Sequence, residues 1–128
     1  MCAAEINVRT GQIVDAAMKV HSALGPGLLE SAYEACLVHE LRSRGLRVAV
    51  QLALPVVYEG MKVELGYRLD LVVEEAVIVE LKAQARLLAV HEAQLLSYLK
   101  LSGYRVGLLI NFHASRLKDG IKRFAFHL

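Results

Sequence analysis

The residue pattern predicts a single mixed α/β domain with helices and strands in the order α-α-β-β-β-α-β. Two segments of helical period come first, each closed by glycine. Runs rich in β-branched residues follow, the clearest being 77–83 (VIVELKA) and 105–111 (RVGLLIN). A helical segment separates those two runs, the pattern of a βαβ unit whose crossover is expected to be right-handed. A chain of 128 residues suits one such domain with one sizeable core.

Residues 11–24 place Ile13, Ala16, Ala17, Val20 and Leu24 at helical spacing, and Gly25-Pro26-Gly27 ends that helix. A second helix is predicted over 28–44, with Leu29, Tyr33, Cys36, Leu37, Glu40 and Leu41 near one stripe and Gly45 as the stop. The period then changes. Residues 48–58 are β-branched and apolar, and Glu59-Gly60 is a turn signal. Residues 61–73 read as one or two strand segments with Gly66 as a bend. A helix returns over 90–101 through Ala93, Leu96, Leu99 and Leu101, ended by Gly103. The run 105–111 is continuously apolar, as a strand covered on both faces must be. A tail follows, with Arg116, Lys118, Lys122 and Arg123 beside Ile121, Phe124 and Phe126.

Hydrophobic residues make up 55% of the chain and charged residues 22%, an ordinary globular balance, so a large disordered region is not expected. The formal charge of +2 is nearly neutral, so any nucleic-acid binding has to come from local clustering, and the tail cations are the first candidate phosphate patch. Cys2 and Cys36 are too few and too far apart for a disulfide framework or a zinc site. No apolar leader opens the sequence, and the longest run free of Asp, Glu, Lys and Arg, 48–58, is too short for a spanning helix. A soluble, cytoplasmic protein without membrane partners is the expectation.

The chemistry concentrates on two neighbouring strands. Alternation puts Glu80 and Lys82 on one face with Ile78, while Val77, Val79 and Leu81 face the other way. Arg68, Asp70 and Val72 share a face of the preceding strand. A three-residue loop, 74–76, would pair Val73 with Val77 and set Asp70 opposite Glu80; a two-residue loop would set it opposite Val79. The three-residue form usually contains a left-handed glycine, and none is present. Opposed carboxylates repel and require a compensating partner, which a hard divalent cation such as Mg²⁺ or Mn²⁺ supplies. A lysine two residues beyond the second carboxylate is placed to hold or deprotonate an attacking water. Against this, Glu-x-Lys is common by chance, and Asp70 as an edge residue or a partner of Arg68 is the plainer reading.

The segment Gly27-Leu28-Leu29-Glu30-Ser31-Ala32-Tyr33, with YRLDLVV, VIVELKA, HEAQLLSYLK and GLLINF in order after it, resembles the GxxExxY proteins of the PD-(D/E)XK nuclease superfamily. The resemblance spans 21–111. It implies a restriction-endonuclease-like core, a central mixed sheet flanked by helices. It also implies a RecB-like branch, in which the Glu-x-Lys strand precedes a helix bearing Gln-x-x-x-Tyr, here Gln94 to Tyr98. By resemblance Asp70 and Glu80 are metal ligands together with the Leu81 carbonyl, and Lys82 positions the water or stabilises the phosphate. Glu30 matches the family's helical acid, with a role at the metal or a second ion. Gln94 and Tyr98, four apart on one helical face, would support Lys82 or touch substrate.

Each helper also has a plainer account. Glu30 suits a helix N-terminus, Tyr33 suits the core, and His21 and His91 suit local hydrogen bonds or caps. Glu92 suits a solvated first turn, and the tail cations suit a solvated surface. The functional expectation is a Mg²⁺- or Mn²⁺-dependent nuclease acting on DNA. The alternative is a non-catalytic nucleic-acid-binding or protein-interaction module that keeps the fold, and either leaves room for a homodimer or a protein partner.

Overall fold

The computed structural model describes residues 1–127. Helix α1 (Ala3–Leu24) begins eight residues before the expected start. Gly11 inside it costs about 1 kcal/mol of helix stability. The buried stripe nevertheless runs unbroken through Ile6, Thr10, Ile13, Ala17 and Val20, and that burial outweighs one glycine. Helix α2 (Glu30–Ser43) follows, buried through Tyr33, Leu37, Val38 and Leu41.

The β region contains more strands than expected. Residues 48–58 divide at Leu54-Pro55 into β1 (Val48–Ala53) and β2 (Val56–Tyr58), because proline cannot donate to a ladder. Strand β3 (Met61–Val63) pairs only with β2, as a separate two-stranded ribbon. The bend at Gly66 has φ +80° and leads into β4 (Arg68–Val73). Strand β5 (Val77–Lys82), helix α3 (Ala89–Ser102) and β6 (Val106–Asn111) form the βαβ unit, with β5 and β6 parallel. The tail is structured: a 3₁₀ turn (Leu117–Gly120) is followed by β7 (Ile121–Ala125), antiparallel to β6. The full order among the described residues is therefore α-α-β-β-β-β-β-α-β-β.

The main sheet has the order β1-β4-β5-β6-β7, mixed because only β5–β6 is parallel. Helices α1 and α2 cover one face, where Ile13, Tyr33 and Leu37 pack on Val79, Leu81 and Leu108. Helix α3 covers the other, with Leu95, Tyr98 and Leu99 on Ile78 and Leu109. This is the expected mixed sheet flanked by helices, and it buries β5 and β6 almost completely. A charged side chain on β5 must therefore face either a hydrophobic layer or a break in the sheet.

Candidate active site

The β4–β5 hairpin turns through Glu74, Glu75 and Ala76, pairing Val73 with Val77 and Leu71 with Val79. Continuing that register sets Asp70 against Glu80, as the three-residue loop requires. No glycine is needed, because Glu74 (φ 54°) and Glu75 (φ 53°) take the left-handed conformation themselves. The Glu74 carboxylate secures the turn. It accepts the Arg47 backbone N–H at 2.8 Å and the Arg47 Nε–H at 3.2 Å, and it lies 3.5 Å from Arg9.

Beyond the Leu71–Val79 pair the β4–β5 ladder ends, although β4 continues to pair with β1 and β5 with β6. The sheet opens there, and side chains replace the missing ladder bonds. The Asp70 N–H donates to Glu80 Oε2 at 2.9 Å, and the Leu81 N–H donates to Asp70 Oδ2 at 2.9 Å. Each carboxylate is thus held by the opposite strand's backbone. Strict alternation, expected for Arg68, Asp70 and Val72, does not survive this opening. Leu69 packs with Val72 under α3, whereas Leu71 and Val73 pack under α1 and α2.

The residue that sequence reasoning missed stands directly across β1. Gln51, opposite Asp70, has φ 52°, and the neighbouring pairs Val50–Leu71 and Leu52–Leu69 keep register around it. Its side-chain amide donates to Asp70 Oδ1 at 3.3 Å and to Glu34 Oε1 and Oε2 at 3.3 and 3.2 Å. A glutamine in a β-branched run carries no signal for a left-handed backbone. The 51/70 cross-strand position, fixed by the β1–β4 register, is the only clue.

Charge is crowded here. Glu80 is buried at 6% exposure. Burial, then the Asp70 charge and a hydrogen bond to it, push the Glu80 carboxyl up to about 9, against the opposing pull of the Asp70 N–H and Lys82. Burial also raises Glu30, with Lys82 pulling the other way and Asp70 and Glu34 adding to the rise. Glu34 is raised by burial and by Asp70, while the hydrogen bond from Gln51 opposes. Tyr98 is raised by burial and by Glu80, Tyr67 and Asp70. These mutual influences bring Glu30, Glu34, Asp70, Glu80, Lys82 and Tyr98 into one electrostatic neighbourhood.

The loop before α2 aims Glu30 at that neighbourhood. Gly25 and Gly27 take φ values of +69° and +105°. Tyr33, fully buried and stacked on Phe112 with ring centroids 4.7 Å apart, donates its hydroxyl to the Gly25 carbonyl and accepts the Leu28 N–H at 3.1 Å. Tyr33 is therefore a core residue that ties down the loop carrying Glu30. Tyr33→Phe keeps the stack and loses both hydrogen bonds, a cost of about 1–2 kcal/mol. We expect its melting temperature to fall by several degrees; an unchanged melt would mean the hydroxyl does not hold the loop.

The remaining expected residues divide. Gln94 is exposed one turn ahead of the buried Tyr98. His91 Nδ1 accepts the Leu88 N–H at the start of α3, the local bond of the plainer expectation, whereas His21 Nε2 lies 2.8 Å from the carbonyl of Ala114, far along the chain. Glu92 pairs with Lys122 at 2.8 Å. The tail cations do not form one patch. Strand alternation sends Lys122 to Glu92 on the α3 side and Arg123 to Asn7 on the α1 side, and Arg116 lies near Asp119. Asn111, also overlooked, is buried and clamps the end of β5. It accepts the Gln84 N–H at 3.1 Å and donates to the Gln84 carbonyl at 2.9 Å, while the Phe112 N–H holds the Lys82 carbonyl at 2.8 Å.

Among the described residues, no group of three or more His, Cys, Asp or Glu side chains converges to hold a metal ion unaided. Asp70 and Glu80 stand as a pair, with Glu30 outside it. A cavity of about 560 Å³ beside β1 and Tyr104 includes none of them.

A mixed sheet flanked by helices is consistent with a PD-(D/E)XK nuclease fold, and here Asp70 stands on one strand and Glu80 and Lys82 on the next. Over residues 7–124 the sequence matches the PD-(D/E)XK nuclease superfamily, and the chain belongs to it. Comparison with curated proteins and with solved structures gives no match. No helix among the described residues is long and apolar enough to cross a membrane.

Proposed function

We propose that this protein hydrolyses phosphodiester bonds in DNA with a Mg²⁺ or Mn²⁺ ion held by Asp70 and Glu80. The observation that carries the reading is the pairing of these two carboxylates where the sheet opens, each fixed by the other strand's amide, with Lys82 beside them. The donor set fits such an ion. It is all oxygen, two carboxyl groups are forced together, and Mg²⁺ ordinarily takes only one or two carboxylates, with waters and substrate phosphate completing its shell. The Leu81 carbonyl is assigned as a further ligand. When bound, the ion supplies charge stabilisation for the scissile phosphate and a more acidic water.

The chain's own residues do the rest. Lys82 Nζ positions the attacking water and shares its proton. Glu30 lies within electrostatic reach of Lys82 and Asp70 and would support the ion's surroundings from α2. Tyr98 lines the carboxylate side, and Gln94, exposed one turn away, meets a backbone phosphate. We place the protein in the GxxExxY group of the RecB-like branch on the Gly27-to-Tyr33 and Gln94-to-Tyr98 spacings. A cytoplasmic setting suits its two free, exposed cysteines.

The second reading, a non-catalytic module or a site completed by a partner or a second copy, draws on the net charge of +2 and the divided tail cations. Purified protein incubated with labelled linear, circular, single- and double-stranded DNA and RNA separates the two. We expect cleavage of DNA with Mn²⁺ and none with EDTA. No cleavage of any substrate, with no Mn²⁺-induced thermal shift, overturns the enzyme reading.

A further inference from the structure

A cavity of about 350 Å³ opens where the β2–β3 ribbon returns to the main sheet. Leu54, Pro55 and Leu65 give it apolar walls, and Tyr67 and Arg68, which lead into Asp70 along β4, line it as well. Tyr67 is 42% exposed, and its ring meets Tyr98 edge-on at 6.3 Å and 61°. Tyr98 in turn lies close enough to Glu80 and Asp70 to feel both charges. Tyr67 thus links the cavity, through Tyr98, to the neighbourhood of the carboxylate pair.

Arg68 is exposed and has no acidic partner among the described residues; its one hydrogen bond goes to the Tyr67 carbonyl at 3.4 Å. Arg68 stands two strand residues ahead of Asp70, a separation of about 7 Å. The cavity's one acid, Glu64, lies 3.3 Å from Lys62. An exposed aromatic ring and apolar walls match the base of a nucleotide, and an unpaired guanidinium matches its phosphate. A base inside a duplex has both faces covered by its neighbours and cannot lie against Tyr67 without leaving the stack.

Resting on the nuclease reading above, we propose that this cavity receives an unpaired nucleobase of the substrate strand, stacked on Tyr67, with Arg68 on the adjoining phosphate. The site then acts on single-stranded or frayed nucleic acid in preference to intact duplex. Stacking of a base on an aromatic side chain is worth about 1–3 kcal/mol and tolerates any sequence.

The test uses the full chain in EDTA, so that binding is read without cleavage. A fluorescein-labelled single strand and a blunt duplex of the same sequence are titrated by anisotropy against wild type, Tyr67→Phe, Tyr67→Leu and Tyr67→Ala. Wild type should prefer the single strand. Tyr67→Phe should match it, and both Tyr67→Leu and Tyr67→Ala should weaken single-strand binding roughly tenfold while leaving duplex binding unmoved. Because leucine keeps the apolar bulk, its failure to rescue assigns the effect to the ring and not to packing. Equal binding of both nucleic acids by wild type, or single-strand binding unchanged in Tyr67→Ala, overturns the inference. So does a change of sedimentation mass in Tyr67→Ala, which would make the cavity a contact between copies. Parallel cleavage with Mn²⁺ keeps the two levels apart. A wild type that cuts duplex as well as single strand sinks only this inference, whereas one that neither binds nor cuts sinks the nuclease reading as well.

Discussion

Lys82→Ala should lose cleavage by roughly a hundredfold or more, the scale of a general-acid/base contribution, while folding normally and still binding Mn²⁺. Lys82 is half-buried at the end of β5, and its ammonium lowers the pKa of both Glu80 and Glu30. Its removal takes away no metal ligand. It also takes away a positive charge that repels an incoming cation, so the thermal shift produced by Mn²⁺ should stay the same or grow. The end of β5 is held independently by Asn111 and by the Phe112 N–H on the Lys82 carbonyl, so truncating the side chain leaves the strand in place. Lys82→Met, which keeps the apolar stem, should be as inactive as alanine. Unchanged cleavage by either variant would remove Lys82 from the mechanism, and a lost Mn²⁺ shift would move its role from the water to the metal.

Much of this site was legible because β5 is so regular. VIVELKA has one apolar face and one interrupted by Glu80 and Lys82, and a buried central strand does not carry such an interruption without cause. The hairpin register was legible only as a choice between two loop lengths, and the absent glycine spoke against the one that forms. Its stabilisation was not legible, since the left-handed Glu74 is held by Arg47 and Arg9, which lie far away in sequence. The failures share that character. Alternation on β4 breaks at Asp70 because the sheet opens there, and Gln51 opposite it adopts φ 52° with no local sequence signal. The tail reads as a run of cations, and only its pairing with β6 as an edge strand shows that neighbouring cations must diverge to opposite faces. Helix α1 reads from Gly11 on the spacing of Ile13 to Leu24, whereas Ile6 and Thr10 continue the buried stripe before it. Local propensity lost to tertiary burial in that case, and to a tertiary charge network in the others.

Glu80→Gln should remove most of the pH dependence of stability between about pH 5 and 9 in EDTA. The Glu80 carboxyl is raised from 4.5 to about 9 in the folded protein, so across that interval the folded state holds a proton that the unfolded state has released. Stability must then fall as pH rises, by up to about 1.4 kcal/mol per unit, and level off above the folded value. Glu30 and Glu34, also raised, contribute in the same direction. Glu40 and Glu74 are lowered by their arginine and lysine partners, so their contribution is lost only as pH falls below the ordinary carboxylate range, outside this window.

Glutamine reproduces the protonated acid. Its oxygen can accept the Asp70 N–H, and its NH₂ can donate to the Asp70 carboxylate where the acid's O–H would. The variant should therefore melt at or above wild type at pH 8 in EDTA, with a shallower pH slope. A divalent ion needs the ionised pair, so binding it releases the Glu80 proton. The Mn²⁺ shift of wild type should accordingly grow from pH 6 to pH 8. It should reach the several degrees that about 2.7 kcal/mol confers at a hundred times the dissociation constant. Glu80→Gln should show almost no Mn²⁺ shift and no cleavage. Two results would sink this account: a variant whose pH slope follows wild type, which would mean Glu80 is ionised throughout, or one that Mn²⁺ stabilises as strongly as wild type, which would take Glu80 out of the metal's shell.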